Sequence, residues 1–248
     1  MQSVELDSIN GISIVYLNRP EKRNSFNSVM ISEVIASIKR ECAEARGIVL
    51  TGRTYFSAGL DLEEIYGFST LEQASKYFNS LKELVEAITA CEKPIVAFVN
   101  GSAYGFAVEL LYFMDRVIAV DSAKFSLPGV KYGIVPVTPA FSRMLGLWGR
   151  ALLDPSFNID ARDAARLGLV NEVVDSIDSG YKASLNAVER LSSVPGDSFK
   201  LFKQLMMGSL VSDAMPREEE LVKELSRHVI KPETKGRLEE FIKRKREK

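Results

Sequence analysis

The sequence predicts an α/β fold: one domain with a helical C-terminal extension. Three observations carry this. Short apolar runs alternate with longer stretches of helical spacing, which implies mostly parallel strands joined by right-handed crossovers. An Asn10-Gly11 pair sits between two strand-like runs, a strong hairpin signal. After Val174 the strand patterns stop and only helical ones follow.

The elements follow in order. Residues 2–7 and 12–17 form the arms of the hairpin. Asn27 to Glu44 has helical spacing, with Val29, Met30, Val34, Ile35, Ile38 and Cys42 at the periodic positions. Residues 47–51 are a strand, and Asp61 is well placed to N-cap a short helix through Ile65. Leu71 to Cys91 is a long amphipathic helix, and residues 94–99 and 116–120 are further strands. Asp178–Leu191, Gly196–Met207, Pro216–His228 and Glu233–Arg246 are helices. Helices this short need packing partners, which argues against a monomer.

Composition bounds the function. The chain has 248 residues, 46% hydrophobic and 26% charged, ordinary for a soluble globule. Its net charge of −1 and pI near 6.1 argue against a dedicated nucleic-acid binder. No run approaches the ~20 apolar residues of a membrane span. Met1 to Ile14 lacks the apolar stretch of a signal peptide, so a cytoplasmic location is expected. Cys42 and Cys91 fall in helical patterns without metal-ligand spacing and read as reduced, buried thiols. The single histidine, His228, reads as a surface helix residue. No G-x-S-x-G, Walker A or G-x-G-x-x-G motif occurs, and no metal is expected.

One carboxylate is out of place. Glu109 is the only charge in Gly105-Phe106-Ala107-Val108-Glu109-Leu110-Leu111-Tyr112-Phe113-Met114, a stretch that reads as a buried helix. Desolvation raises the pKa of such a carboxyl towards the range useful for proton transfer. On helix context alone, pairing with a buried base is the favoured alternative. The preceding strand and the small-residue turn Asn100-Gly101-Ser102-Ala103-Tyr104-Gly105 change the balance, because free N–H groups at a helix start make an anion site. Tyr55-Phe56-Ser57-Ala58-Gly59-Leu60-Asp61-Leu62 is a second turn of the same character.

These two turns, with Leu17-Asn18-Arg19-Pro20, Lys93-Pro94 and Ala161 to Val174, resemble the enoyl-CoA hydratase/isomerase (crotonase) superfamily over roughly residues 12 to 175. The resemblance implies a crotonase-like β-β-α spiral core over 1–190 and a C-terminal helical trimerisation region over 191–248. It implies a homotrimer or a hexamer built as a dimer of trimers. The substrate would be an acyl-CoA thioester, with coenzyme A entering as part of the substrate and no separate cofactor. The Leu60 and Phe106 N–H groups would hold a thioester oxyanion, and Glu109 would move the proton. Arg19, Lys22, Ala58, Asp61, Phe241 and Arg244 would contact coenzyme A, with Arg23 near its nucleotide end.

Two departures from the family pattern stand out. A second glutamate of the hydratases is matched by Gly129, which has no side chain. One base suffices to move a double bond, whereas adding water normally uses two carboxylates. Isomerisation is therefore favoured slightly over hydration. Pro139 and Ala140 replace two glycines of an acyl-pocket loop, where Tyr104, Tyr132 and Thr138 read as wall residues ahead of hydrogen-bond donors. The alternatives are hydration, another acyl-CoA lyase or hydrolase reaction, and a non-catalytic CoA-thioester binder.

Overall fold

The computed structural model describes residues 2–138, 158–212 and 215–247. A six-stranded sheet forms its centre, in the order β1-β2-β3-β4-β6-β9. Its strands are β1 (Val4–Ile9), β2 (Ile12–Leu17), β3 (Gly47–Gly52), β4 (Ile95–Val99), β6 (Arg116–Val120) and β9 (Glu172–Val174). The β1–β2 hairpin turns at Asn10 and Gly11, both at positive φ, and is the antiparallel edge. Every other pairing in this sheet is parallel. β2, β3 and β4 are buried along their length, which explains their unbroken apolar runs.

Helices supply the crossovers. α1 (Ser28–Glu44) is capped by Asn27, and α3 (Leu71–Thr89) by a Thr70–Gln73 capping box. α6 (Ile177–Ser192) packs against the sheet. Gly180 lies so close to the Phe98 ring there that a Cβ would meet it at 2.1 Å. α7 (Gly196–Ser212) is anchored through Lys203, whose ammonium reaches the buried Asp115 carboxylate at 2.8 Å. α8 (Met215–Val229) lies on α3. α9 (Pro232–Arg246) packs on α2 (Leu62–Gly67).

A second, three-stranded sheet of β5 (Ala103–Tyr104), β7 (Lys124–Ser126) and β8 (Asn158–Asp160) escapes the sequence patterns. Two or three residues are too few to display a period of two. The helix read over 106–114 is also shorter. α4 spans Phe106–Leu111, and the Tyr112, Phe113 and Met114 N–H groups close tighter turns. A short α5 (Ala161–Arg166), capped by Asp160, precedes β9.

The cysteines require a correction. Cys42 and Cys91 are joined in a disulfide, with Cα atoms 5.8 Å apart. Cys91 lies just beyond the end of α3, where the chain turns towards β4 and meets the last turn of α1. Helical spacing marked both side chains as inward-facing, which is true of each and is silent on their meeting.

Candidate active site

Two turns build the site. One leaves β3 and enters α2, and the other leaves β4 and enters α4. They run side by side through a parallel bridge between Ser57 and Ala103. The Tyr104 N–H donates to the Ser57 carbonyl at 3.0 Å, and the Ser57 N–H to the Ser102 carbonyl at 3.3 Å. Gly59, at φ 87°, sits against this seam. A Cβ there would meet the Tyr104 carbonyl oxygen at 2.4 Å and the Phe106 nitrogen at 3.2 Å. Glycine answers both the conformation and the lack of room.

The next residue on each turn presents a backbone N–H. The bridge between Phe26 and Leu60 uses the Gly59 carbonyl and the Asp61 N–H, at 2.7 and 3.0 Å, and leaves the Leu60 N–H out. The Phe106 N–H opens α4, where no intrahelical acceptor exists. Neither N–H donates to an acceptor among the described residues. The Phe106 ring packs edge-on against Phe26, centroids 5.5 Å apart, so its bulk is taken up in the core.

Glu109 lies one turn into α4 and is 2% exposed. Its Oε2 accepts three hydrogen bonds at 2.9 Å each, from the Val137 N–H, the Thr138 N–H and the Thr138 hydroxyl. No buried base pairs with it among the described residues. Burial raises its pKa to about 7, and the three donors oppose that rise, the Thr138 hydroxyl foremost. Thr138 is thus a hydrogen-bond donor to the carboxylate, where the sequence favoured a plain wall residue.

Glu109, Leu60, Phe106 and Ala58 share one cavity of about 220 Å³. Gly129 and Phe241 also line it, and the Phe241 ring packs tilted against Tyr132 with centroids 4.5 Å apart. A residue on the C-terminal helix α9 therefore closes a site built by the N-terminal turns. Gly129 lies in a short 3-10 segment, Pro128–Tyr132, and its carbonyl accepts from the Ile134 N–H at 2.9 Å.

Four other candidates stand apart from the lining. The Arg19 guanidinium donates to the Ser25 carbonyl at 2.6 Å and to the Asp61 carboxylate at 3.1 Å. Asp61 also caps α2 through the Glu63 and Glu64 N–H groups. Both side chains thus fasten the first motif to the second. Lys22 pairs with Glu63 at 2.6 Å, and Lys245 reaches the same carboxylate at 3.2 Å. The Lys22 hydrogen bond, with help from Lys245, lowers the Glu63 pKa against the smaller effect of its burial. Arg244 lies on the surface beside Glu240. Arg23, exposed and at the cavity, is better placed than any of these cations to meet a ligand there. Pro139 and Ala140 fall outside the described residues. Among the described residues no cluster of three metal-ligating side chains occurs, and no helix is long and apolar enough to cross a membrane.

The chain matches a family model described as enoyl-CoA hydratase/isomerase over residues 7–247. It is 32% identical over 223 residues to a short-chain-enoyl-CoA hydratase of Clostridium acetobutylicum, covering 86% of this chain and 84% of the relative. It is 33% identical over 182 residues to a crotonyl-CoA hydratase of Syntrophomonas wolfei, covering 70% of this chain and 69% of the relative. The crystal structure of an enoyl-CoA hydratase from Bacillus halodurans superimposes with a TM-score of 0.87 at 25% identity, covering 96% of this chain and 99% of that one.

Proposed function

The chain belongs to the enoyl-CoA hydratase/isomerase family, and from that premise we propose that it moves a proton on an enoyl-CoA with Glu109 as its single shuttle. The observation that carries the reading is a carboxyl buried on the cavity, unpaired by any described base and poised near neutrality. A base of that pKa can take a proton from carbon and return it to another at neutral pH. The Leu60 and Phe106 N–H groups stabilise the enolate oxygen. Their adjacency across the Gly59 seam supports this role, and such a donor is typically worth about 10²–10³ in rate. Gly129 brings no second carboxylate to the cavity, which supports isomerisation.

Hydration is the second reading. The relatives from Clostridium acetobutylicum and Syntrophomonas wolfei are both hydratases, which favours it.

Coenzyme A is held by the Ala58 carbonyl, Phe241 and Arg23 at the cavity, with Arg19 and Asp61 shaping the turn and Lys22 and Arg244 lending charge. Residues 1–190 form the spiral core and 191–248 the helical region that brings copies together. α7 exposes Leu201, Phe202, Leu205 and Met206 on neighbouring turns, which supports association of copies, here read as a homotrimer or a dimer of trimers. A cytoplasmic location is supported by the bacterial relatives. The Cys42–Cys91 bond weighs the other way, since such bonds are rare in a reducing cytosol.

The test is proton exchange in heavy water. Enoyl-CoAs are incubated with the enzyme, and deuterium at the α and γ carbons is followed together with 3-hydroxyacyl product. Exchange and double-bond migration without hydration support the single shuttle. Fast hydration without migration supports the second reading. Glu109→Gln is expected to lower turnover about 10²–10⁴-fold with little change in CoA-ester binding.

A further inference from the structure

Glu109 is held by one oxygen. All three of its described donors converge on Oε2, and Oε1 accepts no hydrogen bond from a described residue. Two of the donors are backbone N–H groups of Val137 and Thr138. The third, the Thr138 hydroxyl, is the one a substitution can remove. Thr138 is itself buried, and its β-branched side chain has few rotamers, so the hydroxyl is pre-aimed.

We propose that Thr138 is a positioning residue that clamps Oε2 of Glu109 and leaves Oε1 to exchange protons with the substrate. The inference rests on the proposed role of Glu109 and adds a division of labour between its two oxygens. A carboxylate without the clamp can rotate about its terminal torsion, which is soft and two-fold. With the clamp, the reacting oxygen stays at one place on the cavity and serves both carbons in turn.

The clamp also favours the charged form of Glu109, because the hydroxyl donates to an ionised oxygen. Among the described residues few other titratable groups face this region. Arg23, Tyr104 and Tyr132 line the same cavity. Lys82 and Glu86 line the small cavity behind Thr138 and lie 3.8 Å from each other. Among the described residues the causes of the Glu109 shift are burial and the three donors, and none of these groups is one of them.

The experiment compares pH profiles of proton exchange for wild type, Thr138→Val and Thr138→Ser, with Glu109→Gln in parallel. Valine keeps the branched shape and loses the hydroxyl, whereas serine keeps the hydroxyl. The acid limb of kcat/KM is expected to move up by about one unit in Thr138→Val. At neutral pH kcat should fall several-fold while KM stays near wild type, and Thr138→Ser should return towards wild type in both. A Thr138→Val profile that superimposes on wild type, or a serine variant as impaired as valine, overturns the clamp. If Thr138→Val does not fold, Thr138→Ala takes its place against the serine variant: a raised limb in alanine with serine near wild type upholds the clamp, and an alanine limb that superimposes on wild type overturns it. An active Glu109→Gln enzyme would remove the underlying reading instead, so the two failures are told apart.

Discussion

Gly59 and Tyr104 are in backbone contact across the two site-forming turns: a Cβ on Gly59 would lie 2.4 Å from the Tyr104 carbonyl oxygen. The contact sets how far apart the Leu60 and Phe106 N–H groups can be. Gly59→Ala must push the turns apart and also strain a backbone at φ 87°. On the proposed role of these two N–H groups, turnover is expected to fall about 10²-fold or more, because both would leave a shared target. Steady-state kinetics together with the melting temperature test this. Unchanged kcat in a folded variant would locate the oxyanion donors elsewhere.

The raised pKa of Glu109 has a stability consequence. In the folded state the group titrates at about 7, against 4.5 for the free side chain. The folded protein therefore holds this proton more tightly than the unfolded chain does. The stabilisation is complete below about pH 4.5 and is lost as pH rises through about 7, a change of about 3 kcal/mol. Glu109→Gln is neutral throughout and escapes the loss. Denaturant midpoints from pH 4 to 8 should show the variant gaining on wild type across that window. Parallel curves would mean that Glu109 titrates near its ordinary value.

Sequence and structure diverge where contacts are long-range. Glu109 was legible because a lone charge in an apolar helix follows a small-residue turn that can hold an anion, and the turn over residues 55–62 because its small residues have the same character. Thr138 was not, since nothing local says that a loop hydroxyl 29 residues on will meet that carboxylate. Arg19 looked like a free cation in its own motif. Its partner Asp61 lies 42 residues away and itself carried a local role as a helix cap. The cysteines failed for the same reason: each pattern fixed a face, and neither fixed a neighbour.

The disulfide makes a direct prediction. It closes a loop of 49 residues, which in the chain-entropy account contributes up to about 4 kcal/mol. Reductant, or the Cys42→Ser/Cys91→Ser double variant, should lower the urea midpoint accordingly. Equal midpoints with and without reductant would mean that the thiols are free in solution, as their helical patterns alone suggested.

Gly129→Glu tests whether a second carboxylate turns the reaction towards hydration. The substitution is not innocent. A Cβ at 129 would come 3.0 Å from the Ile134 carbonyl oxygen and 3.3 Å from the Ile134 Cβ. Ile134 opens the loop that carries Val137 and Thr138, the donors to Glu109. Any side chain at 129 therefore presses on the loop that holds the first carboxylate, and total turnover should fall. Gly129→Ala bears the same backbone crowding without the charge. Comparing the two isolates the carboxylate from the steric effect. The glutamate variant is expected to give a higher ratio of hydrated to isomerised product than the alanine variant, because only it can supply an acid to water addition. Equal ratios in the two variants would show that position 129 does not deliver a side chain to the reacting carbons, and that the choice between the reactions is made by the loop itself.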